Sequence, residues 1–202
     1  MSAKEWIAEV RAQSSAVDHA IFDAVEATQT PVLDRFLVRL SDAANDSRLW
    51  LLTAGVVAAT GGERGRRAAG QAVLAIGVAS VTSNLALKSL ARRRRPGASG
   101  GGQAVASRRV RRPVSPSFPS GHAASAFAFA SSMGESVPAL WMPLHLAAGL
   151  VAYARVHTGV HYPSDVAAGA LVGALSGWTV RRLARRLAPA AVAGSGCSAS
   201  PS

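Results

Sequence analysis

Five apolar stretches, residues 49–60, 68–87, 121–134, 137–154 and 165–180, alternate with polar or basic turns in this 202-residue chain. That alternation limits the folds available more than any other feature. Only 68–87 reaches the roughly 20 residues a helix needs to cross a bilayer, and flanking residues must lengthen the others. The stretch AAGQAVLAIGVASVTSNLAL contains Gln71 and Asn84, which a helical bundle tolerates by turning them toward neighbouring helices. No run alternates as a half-buried strand would. Hydrophobic residues make up 49% of the chain but aromatics only 5%, so Ala, Val, Leu and Gly carry the apolar character and let helix backbones approach closely. The expected fold is all-α: an integral-membrane helical bundle of about five spanning helices, multi-pass in the cell membrane, with N-terminal amphipathic helices before it.

Residues 1–48 are expected to form those amphipathic, interfacial helices. Residues 3–28 read as one helix, interrupted before Pro31. The stretch 31–50 reads as a second, with Val32, Leu33, Phe36, Leu37 and Leu40 at helical spacing. The N-terminus has charges every few residues and no continuous apolar core, so it does not read as a cleavable signal peptide. The bundle is placed at 49–187 and a low-complexity tail, expected to be disordered, at 188–202. The connection 88–118, rich in Arg, Gly, Ser and Pro, is far longer than helix connections usually are. No internal repeat is evident. The single cysteine, Cys197, excludes an internal disulfide.

Twenty-two basic residues against eleven acidic give a formal charge of +11. Such an excess favours anionic partners. The basic residues gather between apolar runs, in ARRRRP (91–96), SRRVRRP (107–113) and VRRLARRL (180–187), as in juxtamembrane loops. The expected partners are therefore a membrane and a phosphorylated lipid rather than nucleic acid.

Three polar clusters interrupt the apolar chain: Lys88 with Arg95-Pro96, Ser120-Gly121-His122, and Arg155 with His161 and Asp165. If the apolar segments cross alternately, all three fall on one face. Lys88, Arg95 and Arg155 then supply three cations, and guanidinium forks match phosphate oxygens. Ser120 and Gly121 stand at a helix start, where free N–H groups and the helix dipole attract an anion. His122 and His161 titrate near neutrality, one able to attack or accept and the other able to donate a proton. Asp165, four residues after His161, is placed to fix that imidazole's tautomer. His19, His145 and His157 lack such company and are not expected to take part directly.

The patterns Lys88-x6-Arg95-Pro96, Pro119-Ser120-Gly121-His122 and Arg155-x5-His161-x3-Asp165 resemble the three signature motifs of the type 2 phosphatidic acid phosphatase family, which also contains vanadium haloperoxidases. The resemblance covers about residues 82–170. It departs at Ala154, where the family usually has Ser, removing one phosphate hydrogen bond of about 1 kcal/mol. The resemblance implies hydrolysis of a phosphate ester through a phosphohistidine, without metal or other cofactor. His161 attacks phosphorus, Asp165 orients it and His122 protonates the leaving alkoxide, while Lys88, Arg95, Ser120, Gly121 and Arg155 hold the phosphoryl oxygens. Among substrates it points to a polyprenyl-linked phosphate of the decaprenylphosphoryl-5-phosphoribose type, with undecaprenyl diphosphate or phosphatidylglycerophosphate as alternatives. Two rival readings are a vanadate-dependent haloperoxidase and a non-catalytic basic protein that binds anionic lipid or nucleic acid.

Overall fold

The computed structural model describes residues 2–28, 30–87, 93–96, 108, 110 and 115–187. Every regular element among them is helical. Helix α1 spans Ala3–Ala27 and opens with a capping box, Ser2 Oγ accepting from the Glu5 N–H while Glu5 Oε2 accepts from the Ser2 N–H. Helix α2, Pro31–Ala43, starts on a proline whose missing N–H costs a first turn nothing. The stretch 31–50 is not one helix. It breaks at a short 3₁₀ turn, Asn45–Ser47, where Asp46 (φ 52°) and Ser47 (φ 59°) adopt the left-handed conformation before α3, Arg48–Thr60, begins.

Helix α4, Gly62–Val81, continues into a π-helical segment, Thr82–Leu87. Then come α5 (Gly121–Ser136), a 3₁₀ turn (Pro138–Leu140), α6 (Trp141–His157) and α7 (Pro163–Leu187). Helices α4 and α7 outrun their apolar stretches because charged end turns, Glu63 to Arg67 and Arg181 to Arg186, remain helical. The tail 188–202 and most of the 88–118 connection lie outside the described residues.

Helix α5 is the hub, packed against α4, α6 and α7. Its Ala123, Ala124, Ala126, Ala128, Phe129, Ala130 and Met133 are all buried. The Phe129 ring meets Trp50 of α3 at 5.5 Å between centroids. Contact with α7 is closest because glycines face it: a Cβ on Gly169 would lie 2.4 Å from the Ser120 carbonyl oxygen, and one on Gly173 2.3 Å from that of Ala124. Around this hub the outer faces are apolar, with Leu51, Leu52, Leu74, Leu146, Leu171 and Leu175 exposed on four different helices. Exposed leucine on all sides of a buried helix is what a lipid-facing bundle presents. Among the described residues one helix, Pro138–His157, is long and apolar enough on its own to cross a membrane.

Gly173→Leu should force α7 away from α5. We expect a loss of at least about 2 kcal/mol, read as a fall in the thermal unfolding midpoint in detergent, whereas Leu171→Ser on the outer face should leave the midpoint in detergent almost unchanged.

Candidate active site

Two helix starts and the segment 93–96 build the site. Ser120 is the N-cap of α5, its Oγ accepting from the Ala123 N–H at 3.4 Å, so Gly121 and His122 form the first turn. The Ser120 N–H donates to the Asp165 carbonyl at 2.9 Å, binding the start of α5 to the start of α7. Asp165 in turn caps its own helix, Oδ2 accepting from the Tyr162 N–H at 2.9 Å. Segment 93–96 passes alongside, tied to the approach to α5 by the Ser117 N–H donating to the Arg93 carbonyl at 2.9 Å.

These elements enclose a cavity of about 220 Å³ lined by Arg95, Gly121, His122 and His161 together with Asn84, Ser115 and the Asp46-Ser47 turn. Both imidazoles of the second and third sequence clusters thus reach one space. Arg95 is buried and anchored by carbonyls, Nε donating to Ser115 at 3.0 Å and Nη1 to Val160 at 2.9 Å. Its Nη1 also lies 3.2 Å from His161 Nε2. A guanidinium only donates, so His161 Nε2 must present its lone pair. His161 Nδ1 faces Asp165 Oδ2 at 3.7 Å, beyond hydrogen-bond length, and has no hydrogen-bond partner. Burial pushes the His161 pKa down to about 4, and the Arg95 and Arg155 guanidiniums add to that, outweighing Asp165. The imidazole is neutral across the physiological range.

His122 has the opposite arrangement. Its Nε2 lies 2.9 Å from Asn45 Oδ1, and a carboxamide oxygen only accepts, so this nitrogen carries a proton. On this one cavity, therefore, one imidazole nitrogen presents a lone pair, to Arg95, and another presents a proton, to Asn45. Arg155 is buried behind the cavity, Nη1 donating to Ser41 Oγ at 2.6 Å, with Nε unpaired. Ser120 and Asp165 are likewise buried and not on the cavity wall. Lys88 lies outside the described residues.

Several groups at the site had no distinguishing signal in the sequence. Arg93 stands in a basic run that reads as topological charge, yet its Nη1 donates to Asp165 Oδ1 at 3.0 Å and its Nη2 to Asp18 of α1 at 2.6 Å. Ser41, Asn45 and Asp18 sit in the amphipathic region with no spacing that links them to the motifs. The remaining histidines are engaged elsewhere. His157 Nε2 donates to Asp34 Oδ1 at 2.7 Å, in a buried group with Arg108, whose Nε reaches the same oxygen at 2.9 Å. His145 bonds the Trp141 carbonyl and stacks on that indole at 4.4 Å. His19 bonds the Ser15 carbonyl.

Comparison with known proteins gives a consistent picture. The family model described as the PAP2 superfamily matches residues 68–188. The decaprenylphosphoryl-5-phosphoribose phosphatase of Mycobacterium tuberculosis is 41% identical over 91 residues, 45% of this chain and 48% of that protein. The chain spans less than half the length of the curated relatives it matches. Among solved structures, Aquifex aeolicus LpxE superposes with a TM-score of 0.65 at 26% identity, covering 81% of this chain and 93% of that one. A transmembrane PAP2-type phosphatidylglycerolphosphate phosphatase from Bacillus subtilis shares the fold, with a TM-score of 0.66 at 22% identity over 86% of this chain and 87% of that one.

The proton state of His161 has a consequence for stability. Its folded pKa, about 4, lies below the ordinary value of about 6.5, so as pH falls the unfolded chain takes up this proton first. The stabilisation is complete above about 6.5 and is lost as pH falls toward 4. Denaturant midpoints measured across that window should fall less steeply for His161→Gln than for the wild-type protein.

Proposed function

Because the chain belongs to the PAP2 superfamily, we propose that it is a membrane phosphatase that cleaves a phosphate ester of a phosphorylated lipid through a phosphohistidine on His161. The observation that carries this reading is the pair of imidazoles on one cavity, with one Nε2 beside a guanidinium donor and the other beside a carboxamide oxygen. His161 Nε2 attacks phosphorus as the ester P–O bond breaks. His122, acting as the imidazolium, gives its Nε2 proton to the departing alkoxide, which takes the place of Asn45 Oδ1 as its acceptor and leaves a neutral ring. The imidazole of His122, now a base, then removes a proton from water as that water attacks phosphorus, the P–N bond breaks, and His161 leaves as the neutral ring. Asp165 meets the Nδ1–H of His161, which becomes more acidic once Nε2 is phosphorylated, and the 3.7 Å gap closes as charge develops.

Negative charge on the equatorial oxygens is met by Arg95 and Arg155, by the N-terminus of α5 at Gly121, and by Lys88 on the strength of its motif. Ser120 contributes through the helix start it caps. This set of pre-placed donors supports a mechanism that needs no metal.

For the substrate we propose a polyprenyl-linked sugar phosphate of the decaprenylphosphoryl-5-phosphoribose type. The 41% identical relative supports this, as does the cavity wall near His122, where Asp46, Ser47, Ser80 and Ser125 offer hydrogen bonds to a hydroxylated leaving group. A space of about 220 Å³ is small beside the roughly 300–1,000 Å³ that encloses a drug-sized ligand, so the head group enters and the lipid chain stays in the bilayer. The five helices α3 to α7 are taken as the membrane-embedded bundle, with α1 and α2 at its surface.

Phosphate release from decaprenyl-linked ribose phosphate, undecaprenyl diphosphate, phosphatidylglycerophosphate and phosphatidate, each with EDTA present, tests the proposal. The first should have the highest kcat/KM, by about tenfold or more, and His161→Ala should abolish release. Activity lost in EDTA and restored by Mg²⁺, or undiminished in His161→Ala, would contradict it.

A further inference from the structure

Three groups of the proposed active site are held by residues that precede the family match at residue 68. Asn45 holds His122, Ser41 holds Arg155, and Asp18 holds the arginine that binds Asp165. These partners come from three successive elements: α1, α2 and the turn after α2. Resting on the phosphatase reading, we propose that the segment from α1 to the Asn45–Ser47 turn is a positioning arm of the active site, in which Asp18, Ser41 and Asn45 orient the nucleophile's carboxylate, the phosphate-binding guanidinium and the general acid.

The Asp18 contact is the most elaborate. Its carboxylate is 2% exposed on a helix whose Val17 and Ile21 face outward, and a buried carboxylate needs full pairing. It has that pairing from Arg93 Nη2 at 2.6 Å, the Ser164 N–H at 2.8 Å and the Ser164 hydroxyl. Arg93 Nη1 then bridges to Ser164 Oγ at 2.7 Å and to Asp165 Oδ1 at 3.0 Å. With Oδ1 held by Arg93, the Asp165 carboxylate turns Oδ2, which also accepts from the Tyr162 N–H, toward His161. The guanidinium also lies 4.2 Å above the Tyr162 ring, which packs against Phe22 and His19 of α1. Helix α1 is thereby fastened over residues 162–165, which set the angle of the nucleophile. The charges around His161 are Asp165 on α7, Arg95 on segment 93–96 and Arg155 on α6, so Arg93 and Asp18 act on it only through Asp165.

At the second contact, Ser41 is fully buried and its hydroxyl accepts from Arg155 Nη1. One fixed nitrogen sets the plane of a planar fork. At the third, Asn45 precedes two non-glycine residues in the left-handed conformation, a costly pair that persists only where surrounding contacts fix it. That turn aims the Asn45 carboxamide at His122 and places Asp46 and Ser47 on the cavity wall.

Each contact makes a different kinetic prediction, and none is one that loss of packing alone would give. Asn45→Ala should lower turnover of an alkyl phosphate ester at least tenfold but of p-nitrophenyl phosphate less than threefold, since nitrophenolate leaves without a proton. Ser41→Ala should weaken orthovanadate binding at least fivefold, and Ser41→Thr should restore it. Asp18→Asn should lower kcat at least tenfold with KM within twofold, and adding Arg93→Gln should cost little more, the two acting as one unit. Helix content by circular dichroism shows that each variant folds, and if one does not, the other two contacts decide. Wild-type behaviour in all folded variants, or equal losses on every substrate and ligand, would overturn the inference. Wild-type protein that binds orthovanadate but hydrolyses no ester would refute the phosphatase reading instead, leaving the Ser41 binding comparison to decide the arm.

Discussion

The close approach of α5 to α7 is the contact on which the rest of the site depends. Two backbones can touch only where side chains vanish, and here Gly169 and Gly173 face the carbonyls of Ser120 and Ala124 at distances no Cβ could occupy. The approach is locked at its upper end by the Ser120 N–H on the Asp165 carbonyl. Consequently two helix N-termini lie side by side, one carrying His122 and the other Asp165, with His161 in the turn just before. The anion-attracting ends of both dipoles converge on the same region. The glycine spacing that supports close helix contact in membranes thus also sets the distance between the proposed acid and nucleophile.

Proton placement follows from which partners can donate and which can accept. Arg95 has no lone pair to offer, so the nitrogen of His161 beside it must supply one. Asn45 Oδ1 has no proton to offer, so the nitrogen of His122 must. Burial and two guanidiniums then keep His161 neutral. On the proposed mechanism, a nucleophile and an acid are prepared by neighbours of fixed chemistry before any substrate arrives, and such preorganisation accounts for much of what enzymes gain from electrostatics. A second buried network, Asp34 with Arg108, His157 and Thr30, holds α2 against α6 and explains why His157, so near the motif in sequence, points elsewhere.

The helices were largely legible because each apolar run is long, periodic and bounded by charge. The apolar stretches 121–134 and 137–154 end within three residues of the bounds of α5 and of the combined span 138–157. Helix ends were less legible, since the arginine-rich turns of α4 and α7 stay helical without any apolar signal. The break after Ala43 carries no mark in the apolar spacing of 31–50, although the Asn-Asp-Ser run there is of residue types that favour turns. At the site, Arg95, His122 and His161 are legible because they stand in short patterns with Gly and Pro that resemble the family's motifs. Asp18, Ser41, Asn45 and Arg93 could not. Their partners are 75 to 114 positions away or more in the chain, and nothing local distinguishes a buried Asp on an amphipathic helix from an exposed one.

The proposed mechanism comprises two in-line displacements at phosphorus, the first by His161 Nε2 and the second by water on the same face the ester left. The stereochemical course therefore tests it most directly. Hydrolysis of a lipid phosphate ester made chiral at phosphorus with oxygen isotopes and sulfur, in isotopically labelled water, should proceed with overall retention of configuration. Inversion would mean that water attacks the ester directly, and the account of His161 as a nucleophile would be wrong.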